Sequence, residues 1–115
     1  MRPIRPATEP SLQGHWTLHL YIGERLFEDD VRVARLSDGS FGGTLTVPGL
    51  WTAPIDKVRV EGKDVRFEIE TDEGRGPFRV EYRGQFDDKG DTFVGFASSG
   101  GEPFGGFVAQ RLLER

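Results

Sequence analysis

The 115-residue chain contains no cysteine, a single methionine and only two histidines. Without cysteine, disulfides and thiolate metal sites are unavailable. The fold must rest on its own apolar core, which one domain of this length is large enough to bury. The first thirty residues lack the apolar h-region of a signal peptide, and no run of membrane length follows. A cytoplasmic protein with no membrane partner is the expectation. A basic stripe is missing too: the net charge is −4 with acids and bases interspersed, so nothing would release counterions from a nucleic acid backbone. Nucleic acid is not an expected partner. Finally, no window of helical length shows a 3.6-residue apolar period.

What the chain does have is sixteen glycines and nine phenylalanines, a composition of short strands and tight turns. MRPIRPATEP carries three prolines in ten residues, which forbid regular hydrogen-bonded structure and make residues 1–12 an extended arm. Residues 13–115 form the barrel domain. Within it, apolar and polar residues alternate in eight runs, over about 14–22, 27–36, 40–47, 54–61, 64–70, 77–86, 92–98 and 103–112. The fold class is all-β, an eight-stranded antiparallel up-and-down barrel. The links SDG, EGK and DDKGD read as short hairpin turns, whereas GERL, PGLWTA, TDEGRGP and SSGGE read as longer. Alternate links lie at opposite ends of a meander, which predicts a tightly turned bottom and a long-looped mouth.

Charge suggests a register for strands five and six. Pairing Glu68 with Arg79, Arg66 with Glu81 and Asp64 with Arg83 makes every outward pair attractive. A two-residue shift would set Arg66 against Arg83 and Glu68 against Glu81, so the first register is expected. Counting from the FDDKGDTF turn sets Phe86 opposite Phe93 and Gly84 opposite Gly95; the next turn sets Gly95 opposite Gly106. This row of inward glycines is expected to seat Trp16.

Side-chain parity sorts the candidates for chemistry. His15 and His19 lie about 13 Å apart along a strand, too far to share a metal ion, and face away from Trp16. No metal site is expected from them. DDKGD lacks a distal Glu for calcium, since the twelfth position from Asp87 is Ser98. Hydroxyls at Ser98 and Ser99 have no histidine placed to activate them. Asp29 and Arg35 share parity with Val31 and Val33, so strand two places one of them inside unless a bulge resets it. Tyr82 is the clearest inward polar group.

Two features remain. Leu50 and Trp51 fall in a mouth link, where the indole acts either as a plug or as a lid over a ligand. The last two strands are apolar on both faces; if Phe93, Gly95, Ala97, Phe104, Gly106 and Val108 point inward, then Val94, Phe96 and Phe107 form an outward patch suited to a homodimer. The arm, through Ile4 or Leu12, is the alternative cover.

The Gly14-His15-Trp16 opening and Arg111 in the last strand resemble the calycin pattern of lipocalins and fatty-acid-binding proteins. That resemblance implies that Trp16 closes the barrel bottom under Arg111. Over about residues 13–112 the chain is similar to short bacterial lipocalin-like domains of unassigned activity, which read GxW, DGxxxGTLxVPG, GxxVxFE and YxGxxD. Here these are GHW, DGSFGGTLTVPG, GKDVRFE and YRGQFD. The chain lacks the disulfide and C-terminal helix of typical lipocalins. It also lacks the late histidine of small haem barrels, so no cofactor is expected.

The leading expectation is a noncatalytic lipocalin-like barrel, filled or holding a small apolar ligand at the mouth near Trp51, Leu50, Tyr82, Arg75, Ser98 and Ser99. The alternative is an interaction module associating through Val94, Phe96 and Phe107. An enzyme ranks third, because no catalytic set is assembled. Trp16, Arg111, Gly84, Gly95 and Gly106 are the expected closure residues.

Overall fold

The structure, a computed structural model, describes residues 11–72, 74 and 76–112. Its strands are β1 (Gly14–Ile22), β2 (Arg25–Arg35), β3 (Phe41–Val47), β4 (Trp51–Glu61), β5 (Asp64–Asp72), β6 (Pro77–Phe86), β7 (Thr92–Ser99) and β8 (Glu102–Arg111). Each pairs antiparallel with the next, and β8 returns to β1 with Arg111 opposite Trp16, so the up-and-down barrel is closed. Closure leaves no unpaired sheet edge. Among the described residues there is no helix, and so none long and apolar enough to cross a membrane. Of the expected arm, residues 1–10 lie outside the described residues, while Leu12 is fully buried.

The loop-length expectation does not hold, because each end mixes two-residue links with longer ones, and the EGK turn is as short as expected. At the end where β1 finishes, two of the links are the tight pairs Gly23–Glu24 and Gly100–Gly101. At the end where β1 begins, the links include residues 36–40 and 87–91. Side chains, rather than loops, decide which end is open.

Two bulges set the facing of side chains. In β4 the register against β5 shifts between Asp56 and Arg59, and Lys57 adopts a positive φ of 51°. One extra residue changes the phase, so that Ala53 and Ile55 before it, and Val58 and Val60 after it, all pack toward the core. In β8 the register against β7 shifts where Ala97 pairs with Gly105 but Ser98 with Pro103. Phe104 is the extra residue, and every position beyond it changes face relative to a regular strand.

That second bulge corrects the glycine row. Gly84 does pair with Gly95, and Phe86 with Phe93, but Gly95 pairs with Phe107, not Gly106. Phe107 turns inward and is 3% exposed; a Cβ on Gly84 would stand 3.1 Å from its ring. The ring over the glycines is therefore Phe107. Trp16 packs instead against Phe93 and Phe86, with ring centroids 4.8 and 6.1 Å away. Gly95 answers a different need: a Cβ there would lie 1.8 Å from the Arg83 carbonyl oxygen, so only glycine permits this backbone approach.

The β5–β6 register is also corrected. Arg66 pairs with Arg83 and Glu68 with Glu81, the arrangement that surface charge disfavours. Inside the barrel this register sets Phe67 opposite Tyr82, their rings stacked with centroids 4.8 Å apart, and Val65 opposite Gly84. Aromatic stacking comes in addition to burial of both rings, whereas an exposed charge pair contributes well under about 1 kcal/mol. Attraction is regained around Arg79, which faces Glu70 directly and Glu68 diagonally. Arg79 reaches Glu68 at 2.8 Å, Asp56 at 3.0 Å and Glu70 at 3.4 Å, tying β4, β5 and β6 together on the outer wall.

The core is densest at the end where β1 begins. Trp16 Nε1 donates to the Leu12 carbonyl at 2.9 Å, and the Arg111 guanidinium lies 4.2 Å over the indole. Arg111 also donates to the carbonyls of Gln13, Ser11 and Gly90 at 2.5, 2.6 and 3.1 Å. A cation–π contact and two of these backbone bonds thus fasten the chain entering β1 to the end of β8, and the third ties in the β6–β7 turn. From Trp16 a chain of aromatic contacts climbs through Phe93, Phe107 and Tyr82 to Phe67. Those rings fill the lower interior.

Candidate functional site

Above Tyr82 the interior is not filled. A cavity of about 200 Å³ opens there. Its wall is built from the mouth ends of the strands: Leu20 and Ile22 of β1, Phe27 of β2, Val47 of β3, Ile69 of β5, Phe78 and Val80 of β6, and Phe104 of β8. Regular alternation puts most of these inside. Phe104 arrives through the β8 bulge, which turns both it and Gly105 inward. Leu50 and the half-buried Trp51 stand at the rim.

Three polar side chains reach this apolar lining: Thr71, Tyr82 and Asp29. Asp29 is the one whose facing the sequence left open. β2 runs without a bulge against β1, with Leu20 opposite Phe27, Leu18 opposite Asp29 and Trp16 opposite Val31. Asp29 therefore stays on the core face, 2% exposed, and its Oδ1 is buried with no hydrogen-bond partner. Arg35, of the same parity, lies beyond the core. Its guanidinium stacks 4.6 Å over Phe41 at the surface.

A carboxyl in such a place is costly to ionise. Burial pushes Asp29 up to about 6, with the charge of His19 pulling modestly the other way. Tyr82 is held neutral well above its ordinary range, by burial first and then by the nearby negative charge of Asp29. At neutral pH the site thus offers one buried carboxylate and one neutral phenol beneath an apolar chamber. It can accept a hydrogen bond or a proton from something bound above.

The other candidates fall elsewhere. Arg75 lies outside the described residues. Ser98 and Ser99 do not line the cavity; Ser99 donates to the Arg79 carbonyl at 3.0 Å. His15 pairs with Asp30, and His19 Nε2 lies 3.6 Å from Glu28, both on the outer wall. Partial burial opposes ionisation of Asp30, but hydrogen bonds from His15 and Arg32 outweigh it and hold the carboxyl below its usual range. DDKGD forms a turn in which Asp87 accepts from the Gly90 and Asp91 amides. Of the outward patch, Val94 is 49% and Phe96 64% exposed, but Phe107 is a core residue and Gly106 takes the outward position.

Asp29 could have been singled out from sequence, because Phe27, Asp29, Val31 and Val33 alternate without interruption. No sequence signal shows that its oxygen lacks a partner. Compared with known proteins, the chain matches no family model, no curated protein and no solved structure.

Proposed function

We propose that the protein is a noncatalytic, lipocalin-like barrel that binds a small, largely apolar ligand in the chamber between Tyr82 and Trp51. The observation that carries this reading is the division of the interior: aromatic rings fill one end, while the other keeps about 200 Å³ open under a half-buried indole. A protein interior normally packs to crystal density, so an apolar void of this size at an open end suits an occupant. The lipocalin-like part is supported by the Gly14–Trp16 opening and by Arg111 lying over the Trp16 ring.

Burying roughly 200 Å² of apolar ligand surface at about 25 cal/mol per Å² supplies roughly 5 kcal/mol before association costs. Taken alone that energy corresponds to a Kd of about 0.2 mM, and the association costs weaken it, so a neutral aromatic probe should bind with a Kd in the millimolar range or above. Titrating 2-phenylethanol into isotopically labelled protein should move the amides of Leu20, Phe27, Val80 and Phe104 together. Shifts that are absent, or confined to the outer wall, would remove the ligand reading.

A second reading is self-association through the outer face of β7, β8 and β1. There Phe96 pairs with Gly106 and Gly106 with Tyr21, and Phe96, Val94 and Tyr21 are all about half exposed or more. Sedimentation at rising concentration checks it: a mass unchanged from that of a monomer excludes it, and a dimer lost in Phe96→Ser supports it.

A further inference from the structure

Asp29 narrows the chemistry of the ligand, an inference that rests on the cavity reading above. Its Oδ1 is buried, has no hydrogen-bond partner and borders the cavity. The lining contains no Lys, Arg or His among the described residues, so the wall offers no counter-charge. An ionised carboxylate surrounded by apolar groups gains most from a partner that brings both hydrogen bonds and positive charge. Water supplies only the first. The chain's net charge of −4 also favours approach of a cation over an anion.

Size sets a second limit. A dry cavity of about 150 Å³ in another protein holds benzene. The present chamber is slightly larger, with room for one ring or a short alkyl chain plus a polar end. From these observations we infer that the cavity takes a small amphipathic amine. Its ammonium group is directed down onto Asp29 beside the Tyr82 hydroxyl, and its apolar body lies against Leu20, Phe27, Val80 and Phe104 under Trp51.

Binding of such an amine is linked to protons. Tyr82 from β6 is the titratable group on the inner face beside Asp29; β1 presents Leu18 and Leu20 there and β3 presents Val47, while His19 acts on Asp29 only through its charge, from the outer wall. Primary amines remain protonated through the neutral range, and Tyr82 stays neutral there. Affinity should therefore follow ionisation of Asp29 and fall as the pH is lowered through about 6.

The test compares three probes of similar shape, 2-phenylethylamine, 2-phenylethanol and phenylacetate, by calorimetry or NMR titration near pH 7.5 and near pH 4.5. The amine should bind about tenfold or more tighter than the alcohol at the higher pH and within about twofold of it at the lower. Asp29→Asn should retain alcohol binding and lose the amine preference. Saturating amine should also lower the titration midpoint of the Asp29 carboxyl followed by its own carbon resonance, a readout that needs no variant. Equal binding of amine and alcohol, a preference that survives Asp29→Asn, or an unmoved midpoint would overturn the amine assignment while leaving the apolar cavity standing. If none of the three probes binds, both readings fall together.

Discussion

Replacing Asp29 with Asn should make stability depend on pH less steeply, and the size of the change follows from the burial of the carboxyl. In the unfolded chain this group titrates near 3.8, and in the folded barrel near 6. Between those values the native state keeps a proton that the unfolded state has released, so raising the pH favours unfolding. The contribution is absent below about pH 3.8 and reaches its full cost above about pH 6, on the order of 3 kcal/mol. About 2 kcal/mol of it develops between pH 4 and pH 7.5. Asn is nearly isosteric and cannot ionise. The stability difference between Asp29→Asn and the parent should therefore grow in favour of the variant by about 2 kcal/mol over that interval. Urea unfolding followed by tryptophan fluorescence at several pH values gives the two curves. Carboxyls held low by their partners, such as Asp30, destabilise both proteins alike as the pH falls and cancel in the difference. Parallel curves would refute the claim that Asp29 is ionised against a burial cost. A gap widening toward acid would refute the sign.

Further substitutions probe the rest of the scaffold. Gly95→Ala places a Cβ 1.8 Å from a backbone oxygen and should cost more than about 2 kcal/mol, whereas Gly106→Ala, with its nearest neighbour at 3.7 Å, should cost under about 1 kcal/mol in the same unfolding assay. The opposite order would refute the β8 register. Arg111→Ala removes the cation over Trp16 and three carbonyl partners, with an expected loss of about 2–3 kcal/mol. Lys should not restore it, because an ammonium lacks the planar fork; thermal melts of both variants decide. Trp51→Ala should cost only about 1 kcal/mol, less than a fully buried tryptophan, while weakening 2-phenylethanol several-fold. A stability loss above about 3 kcal/mol would make Trp51 a plug.

Alternation of apolar and polar residues, punctuated by turn residues, was enough to read eight strands, their order and their closure into a barrel. Strand geometry gives side chains a period of two, and a meander pairs each strand with its sequence neighbour, so these features are local. The Phe86–Phe93 register followed from one turn for the same reason. Tertiary structure decided the rest, wherever one residue more or less reverses a face. The β4 bulge leaves a trace in sequence, the switch from Ala53 and Ile55 to Val58 and Val60, but glycines at both parities in FGGF conceal the β8 bulge that turns Phe107 inward. The β5–β6 register went against outward charge because stacking of Phe67 on Tyr82 depends on the closed interior, while exposed charges find diagonal partners. Parity alone could place Asp29 on the inner face. That its oxygen meets no partner, and borders open space rather than packed side chains, depends on how all eight strands converge. The physical reason is that hydrogen bonding and cavity volume belong to the assembled barrel and not to any one strand.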